Sequence, residues 1–490
     1  MEHSILDTIL SNLSTFSKRN AFYINEEFYT YSDLSKKIAG IAETLKELPN
    51  QTPVGVITTD SLETYASIIA LWLNGHIFIP ISPTNAKERN ENSIQQAGVK
   101  YILTPTVDDA EIINSANINL ITTSPLFSDC KIENINTDQN NILYTLFTSG
   151  STGTPKGVPI NLKNLDAFIH SFITIGFKIN ETDKFLQLYD LSFDASVHCY
   201  TLPLFLGACA YTIPFKEVKY LYAYKLMKEQ ELTFVKMPPS TITYLQPYFS
   251  KINLPHLKYT LFGGEALQSS LVNEWQKCAP NTEIHNVYGP TEATINCFSY
   301  TEKTPKSYNN IVSIGKPMDG VKALVIDEEN TILSKNTKGE LCISGNQITD
   351  GYWKNDTKNK EAFIDINGNT FYKTGDVVYV DNDGDFYYCE RIDNQVQIQG
   401  YRVELGELEH HARNITNLTH VIALAKKSAT NTNQLYLFLE NFKGSIDNLK
   451  TDLAQKVPNY MVPQKIITLP SFPLTTSGKI DRNQLKELLA

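Results

Sequence analysis

The 490-residue chain is short of several features that would each place it in a different class of protein. It has no long hydrophobic run: the longest, around Ala66 to Leu73, falls far below the ~18–20 apolar residues that span a bilayer. It has no excess of positive charge, since 43 Lys and Arg face 53 Asp and Glu, and the net charge of −10 argues against a nucleic-acid binder. Its seven cysteines form no C-x-x-C pair, which fits neither a zinc ribbon nor a disulfide framework. Reduced, mostly buried thiols in a cytoplasmic protein are the expectation. The opening MEHSILDTIL carries Glu2 and Asp7 and lacks the basic and apolar regions of a secretory leader. The sequons at Asn12 and Asn417 therefore carry no meaning. There is no internal repeat and no low-complexity tract.

What remains is an ordinary globular balance, 42% hydrophobic and 20% charged. At about 150 residues per domain the length allows about three domains and more than one core. Helical and strand patterns alternate, which indicates α/β architecture. Tyr31 to Leu48 places Leu34, Ile38, Ile41 and Leu45 on one helical face. Pro53 to Thr58, His76 to Ile81, Ile142 to Phe147, Val321 to Ile326 and Gly339 to Ser344 have the composition of buried strands, and Leu62 to Trp72 that of a helix. Near Arg391-Ile-Asp393 a β-rich stretch gives way to a strand, a turn and a helix, and the chain ends in a short helix, Arg482 to Leu489. A large domain, 1–391, and a small α+β domain, 392–490, are expected.

The strongest local signal is Thr148-Ser-Gly-Ser-Thr-Gly-Thr-Pro-Lys-Gly157, directly after an apolar strand. Gly150 and Gly153 let backbone amides turn toward phosphate oxygens, the hydroxyls add donors, and Lys156 supplies a cation. A surface loop would not need this hydroxyl density with a Lys at its exit and a strand on each side. It is no Walker A loop, because Pro155 stands where that pattern needs its Gly-Lys and no helix follows directly.

This loop resembles the signature of the adenylate-forming superfamily, which includes acyl- and aryl-CoA ligases, luciferases and the adenylation domains of nonribosomal peptide synthetases. The resemblance extends, in the family's order, through Tyr29-Thr-Tyr-Ser-Asp-Leu34, Leu73-Asn-Gly-His-Ile-Phe-Ile-Pro80 and Asn286-Val-Tyr-Gly-Pro-Thr-Glu292. It continues through Gly339 to Gly345, Tyr372-Lys-Thr-Gly-Asp376, Arg391-Ile-Asp393, Gly400-Tyr-Arg402, Pro458 to Pro463 and Pro473 to Lys479. It implies the adenylate-forming fold, layered sheets and helices in a large N-terminal domain with a small mobile C-terminal one.

The resemblance also implies roles. ATP would be held by Thr148, Ser149, Gly150, Ser151, Thr152, Gly153, Lys156, Gly264, Glu265, Asn286, Tyr288, Gly289, Thr291, Asp376, Arg391 and Lys479. Tyr288 offers a ring for adenine, Asp376 accepts from ribose hydroxyls, Arg391 helps hold the ribose, and Glu292 is a hard oxygen ligand for Mg2+. Thr148, Lys156, Glu292 and Lys479 form the catalytic set, with Lys479 stabilising charge as a carboxylate attacks the α-phosphate. Asp393 is the hinge of the small domain. Gln397 and Gln399 stand where basic residues are common and Glu390 where Gly is, departures that bear on the thioester-forming half-reaction.

Phe193-Asp-Ala-Ser-Val197 is similar to the segment of peptide-synthetase adenylation domains whose Asp binds the substrate α-ammonium. Asp194 fills that place, although D-A-S-V would also serve as a helix N-terminus. The pocket so implied is Asp194, Ala195, His198, Lys236, Leu261, Gly263, Val287, Ile295 and Asn296, with Lys479. A buried Lys236 calls for an anionic or amide partner, and Lys-Leu-Gly here resembles aspartate- and asparagine-activating domains. His198 and Asn296 depart from that pattern. The expected activity is ATP- and Mg2+-dependent formation of an aminoacyl-adenylate from a polar amino acid of Asp or Asn size. No carrier domain follows Lys479, so transfer to the phosphopantetheine thiol of a separate carrier protein is expected, by a monomer with no nucleic-acid or membrane partner. A D-alanine–carrier protein ligase is the nearest alternative, though Phe262-Gly-Gly264 stands where those enzymes commonly place a Cys; an acyl- or aryl-CoA ligase is the other.

Overall fold

The computed structural model describes residues 4–113, 118–136, 138–148, 155–301, 305–393, 395–428, 432–474 and 480–489. The helix Tyr31–Leu45 is started by a capping box, in which the Thr30 hydroxyl accepts from the Asp33 amide and the Asp33 carboxylate accepts from the Thr30 amide. Its apolar stripe packs against the helix Leu62–Leu73, which is buried on every side. The first helix stops at Leu45 rather than Leu48, because Pro49 disfavours helical backbone at the residue before it. The other expected elements appear within a residue or two, as Pro53–Ile57, Ile77–Ile81, Ile142–Thr148, Lys322–Ile326, Lys338–Ser344 and Arg482–Glu487.

Among the described residues the strands form two large sheets and several smaller ones. The first large sheet runs, by position, Asn119–Thr122, Tyr101–Thr104, Pro53–Ile57, Ile77–Ile81, Ile142–Thr148 and Lys156–Asn161. It is parallel except for its last pair, in which Thr148 lies opposite Lys156. The second has a parallel centre ordered Glu283–Tyr288, Tyr259–Gly263, Phe234–Met237, Lys184–Gln187, Cys209–Thr212 and Asn20–Ile24. Chain order reverses beside Lys184–Gln187: the next strand lies on one side of it and the one after on the other. Such a switch opens a crevice at the carboxyl ends of the strands. An antiparallel sheet built on the long strand Asn369–Val380 closes the third side.

After Arg391 come the hairpin Gln395–Ile398 with Tyr401–Glu404, the helix Leu405–Thr416 and a three-stranded sheet of Val421–Lys427, Asn433–Glu440 and Lys465–Leu469. Val403, Leu408, Leu437, Leu453 and Met461 pack into a core of their own. Five of the seven free cysteines are buried; Cys130 is exposed and Cys389 half-buried.

Trp72 joins the layers. Its indole N–H donates to the Leu143 carbonyl at 2.8 Å, and its ring lies 6.3 Å from Tyr144 of the first sheet and 6.0 Å from Tyr200 on a helix of the second. Trp72→Ala removes a fully buried ring and its hydrogen bond to Leu143, so a loss of about 3–5 kcal/mol is expected. Chemical unfolding of the two proteins measures it; a loss under about 1 kcal/mol contradicts the packing described.

Candidate functional site

Among the described residues, the crevice at the strand ends gathers Lys156, Glu292 and Asp194. Thr148 ends one strand and Lys156 begins the next, with the Thr148 hydroxyl 3.4 Å from the Lys156 carbonyl. Ser149, Gly150, Ser151, Thr152 and Gly153 between them, and Lys479, lie outside the described residues. Lys156 Nζ sits 5.2 Å above the Tyr352 ring, and burial lowers its pKa, offset in part by Glu292.

Glu292 is fully buried. Tyr352 Oη donates to one carboxylate oxygen at 2.7 Å, and Arg402 Nη1 pairs with the other at 3.2 Å. Burial alone would raise its pKa, but Arg402, Lys156 and the tyrosine hydroxyl outweigh it and hold the group down to about 2. It is therefore an anion at any ordinary pH. Arg402 is legible in the sequence only as part of a motif, and Tyr352 lies inside no motif; neither can be paired with Glu292 from spacing, because they come from other elements.

Three of the expected nucleotide residues, Tyr288, Asp376 and Arg391, form one chain of contacts that ends at Asp393. Tyr288 Oη donates to Asp376, Arg391 Nη1 donates to the other Asp376 oxygen at 2.8 Å, and Arg391 also forks onto both oxygens of Asp393. The Asp393 carboxylate accepts from the Gln395 amide at 3.1 Å, tying it to the start of the hairpin. Asn286 is turned elsewhere: its amide donates to the carbonyls of Val312 and Ser313. At Gly264, whose φ is +81°, the hairpin comes close, and a Cβ there would lie 3.4 Å from the Gly400 carbonyl. The neighbouring Glu265 accepts from the amides of Ser240 (2.8 Å) and Gly400 (2.7 Å). Tyr401 stacks on Tyr460, with centroids 4.0 Å apart, and lies tilted against Phe193 at 4.4 Å. A second, buried ion pair crosses from Arg89 to Glu407 at 2.8 Å.

The pocket residues line up at the chain reversal. Lys236, Leu261, Gly263 and Val287 come from three adjacent strands, and Ala195 and His198 from the helix Asp194–Leu206. Asp194 is the first residue of that helix rather than its cap, which is Phe193. Burial raises its pKa; Lys236, the Thr291 side chain and the Ala195 amide pull it back. Lys236 is buried, and burial lowers its pKa to about 8 against the pull of Cys199 and Asp194. It points inward. Its Nζ donates to the Asn296 side-chain oxygen, at 3.0 Å in the amide orientation that also lets the nitrogen donate to the Ile295 carbonyl. His198 is buried with neither ring nitrogen partnered among the described residues, its ring edge-on to Phe168 and Phe172. Burial and Lys236 push its pKa well down, so it is a neutral imidazole.

With this geometry in view, the comparisons with known proteins place the chain. Residues 11–353 match the AMP-binding enzyme family, and the chain belongs to that family. It is 29% identical over 490 residues to tyrocidine synthase 1 of Brevibacillus parabrevis, aligned over 96% of this chain but spanning only 44% of that protein. It is 29% identical to zwittermicin A synthase ZmaJ of Bacillus cereus, covering 95% of this chain and 91% of the relative. The Vibrio cholerae adenylation domain AlmE, solved with glycyl-adenosine-5'-phosphate, superposes with a TM-score of 0.88 over 99% of this chain and 97% of its own, at 23% identity, and so shares the fold. No helix among the described residues is long and apolar enough to cross a membrane.

Glu292 gives an acid-stability prediction. Its folded pKa lies below its ordinary value of 4.5, so its contribution is complete above pH 4.5 and is lost as pH falls toward 2. The contribution is about 3 kcal/mol. Glu292→Gln should be less stable than the unaltered protein at pH 7, and the gap should close between pH 4.5 and 2. Thermal melting across that range checks it, and a gap independent of pH refutes the assignment of charge.

Proposed function

We propose that the chain activates an amino acid with ATP, forming an aminoacyl-adenylate and pyrophosphate, and then passes the acyl group to the phosphopantetheine thiol of a separate carrier protein. The observation that carries this is the presence, at the chain reversal, of the half-buried Asp194 at the start of its helix and the buried Lys236, close enough to act on each other electrostatically. A free amino acid brings an ammonium for the first and, when its side chain is polar, an acceptor for the second. In the first step a carboxylate oxygen attacks the α-phosphorus and pyrophosphate leaves; in the second the thiol sulfur attacks the acyl carbon, the thiol proton is lost and AMP leaves.

Residues 1–391 are the adenylating body and 392–490 a lobe that turns about Asp393. In the arrangement described, the hairpin of that lobe faces the crevice through Gly400 and Arg402, as suits admission of the thiol. In the other pose Lys479 reaches the phosphate. Mg2+ suits the donor chemistry at Glu292, an ionised oxygen ligand of the kind that binds this ion together with phosphates. Bound there, it would neutralise charge on the pyrophosphate. Arg402 holds the same carboxylate, so its withdrawal belongs to the adenylating pose. Tyr288, Asp376 and Arg391 hold the nucleoside. The side-chain pocket, with Lys236 and Asn296 at its end, suits an amino acid of Asp or Asn size, and a monomeric, cytoplasmic enzyme completes the reading.

The test is ATP–pyrophosphate exchange with all proteinogenic amino acids, D-alanine, and a few aryl and fatty acids. Exchange with L-aspartate or L-asparagine is expected. Exchange with D-alanine alone, or with amine-free acids alone, hands the function to the carrier-ligase or CoA-ligase alternative. Asp194→Ala should cost about 100-fold or more in kcat/KM, because it removes the carboxylate that pairs with the substrate ammonium on this reading. Lys479→Ala should abolish exchange.

The Lys236 pKa of about 8 gives a pH signature. An anionic side chain needs Lys236 protonated, so kcat/KM for L-aspartate should fall about tenfold per pH unit above about pH 8. In Lys236→Met this limb should disappear along with most of the activity. An unchanged alkaline limb in the variant contradicts the role.

A further inference from the structure

Two consecutive β-branched residues beside the pocket, Thr294 and Ile295, have φ of +52° and +78°. Cβ-branched side chains collide with their own backbone in this region, so a pair of them persists only where the surroundings impose it. Two features impose it here. On one side the chain passes over Gly289, where a Cβ would come within 2.7 Å of Asn296 Cα and the Ile295 carbonyl oxygen. On the other side lies Gln347, which is 2% exposed. Its Nε2 donates to the carbonyls of Ala293 (2.8 Å), Thr294 (3.4 Å) and Asn296. The Thr294 hydroxyl donates back to the Gln347 carbonyl at 2.6 Å, and the Thr349 amide to the Glu292 carbonyl at 2.8 Å. Gln347 Oε1 has no hydrogen-bond partner among the described residues, so the side chain acts through its NH2 group alone.

The segment so clasped runs from Glu292 to Asn296. It carries the buried carboxylate at one end and, at the other, the amide that meets Lys236. We propose that Gln347 is a positioning residue for substrate selection: its amide holds the strained turn at Thr294 and Ile295 and so sets the place of Asn296 opposite Lys236, fixing the polar end of the side-chain pocket. The proposal rests on the amino-acid reading above for its kinetic consequence, but not for its structural one.

Gln347→Met keeps the length and removes the donors. By hydrogen–deuterium exchange, amides of residues 291–297 should exchange about tenfold faster in the variant while those of the strand Glu283–Tyr288 stay unchanged. With L-aspartate as the probe, KM for the amino acid should rise about tenfold and KM for ATP stay within about twofold. Unchanged exchange at 291–297, or equal rises in the two KM values, overturns the proposal. If the unaltered protein shows no exchange with L-aspartate, it is the substrate reading that fails, and the deuterium experiment still decides the role of Gln347. If Gln347→Met does not accumulate as folded protein, Gln347→Met/Thr294→Gly carries the test, since glycine adopts the left-handed turn without strain. Recovery of folding in the double variant supports the clasp; a double variant no better than the single overturns it.

Discussion

The crevice depends on one constraint: an ionised carboxylate, Glu292, is kept with no exposed surface and must have cations within reach. Taking such a group out of water costs several kcal/mol, and leaving it without its partner costs about 3–5 kcal/mol. Two cations answer it, Arg402 from the C-terminal hairpin and Lys156 from the end of the glycine-rich loop. The consequence reaches well beyond the contact. Arg402 arrives with the hairpin, which is seated by the Gly400 amide on Glu265 and by Tyr401 against Tyr460 and Phe193. The placement of the hairpin is thus tied to the electrostatics of one buried side chain, and the Arg89–Glu407 pair ties the lobe a second time. On the proposed function the carboxylate has two alternative cations, the guanidinium and a metal carried with the nucleotide. The lobe then occupies the crevice when the second is absent.

The substrate end is built on the opposite principle. Asp194 and Lys236 oppose each other's burial penalty, and His198 beside them stays neutral with both nitrogens open among the described residues. On the proposed function, an entering amino acid would bring its ammonium to Asp194 and a polar side chain to Lys236. On that reading, selectivity would follow from what each polar group of the pocket loses when its partner is missing.

Much of this is legible in the chain, and the reason differs by residue. The helices and parallel strands announce themselves by periodicity because each faces one core. Periodicity alone carries the helix at Tyr31 on to Leu48, where Pro49 has the stronger say. Of the residues expected at the nucleotide, some are found together because they lie near one another in the chain: Asp376 pairs with Arg391, and Arg391 with Asp393 two residues on. Lys236 is readable as buried because it sits within a four-residue strand of otherwise apolar side chains. Asp194 is ambiguous, since an acid at a helix start also serves the helix dipole, and only the fold brings Lys236 to it. Tyr352, the partnership of Arg402 and Glu292, and Gln347 are out of reach. Each depends on contacts of 50 residues or more in sequence separation.

That division has a physical basis. A phosphate or ribose is the same in every nucleotide, so the groups that hold it can be embedded in short, fixed turns, and the turns appear as motifs. A side-chain pocket must differ from one substrate to the next, and its walls come from separate strands whose spacing no local pattern records. Here the wall at Thr294 and Ile295 goes further and adopts a backbone that its own residues disfavour. A segment of that kind has no local preference to reveal it. Its shape resides in Gly289 beneath it and in the amide of Gln347 above, and is visible only once all three are brought together.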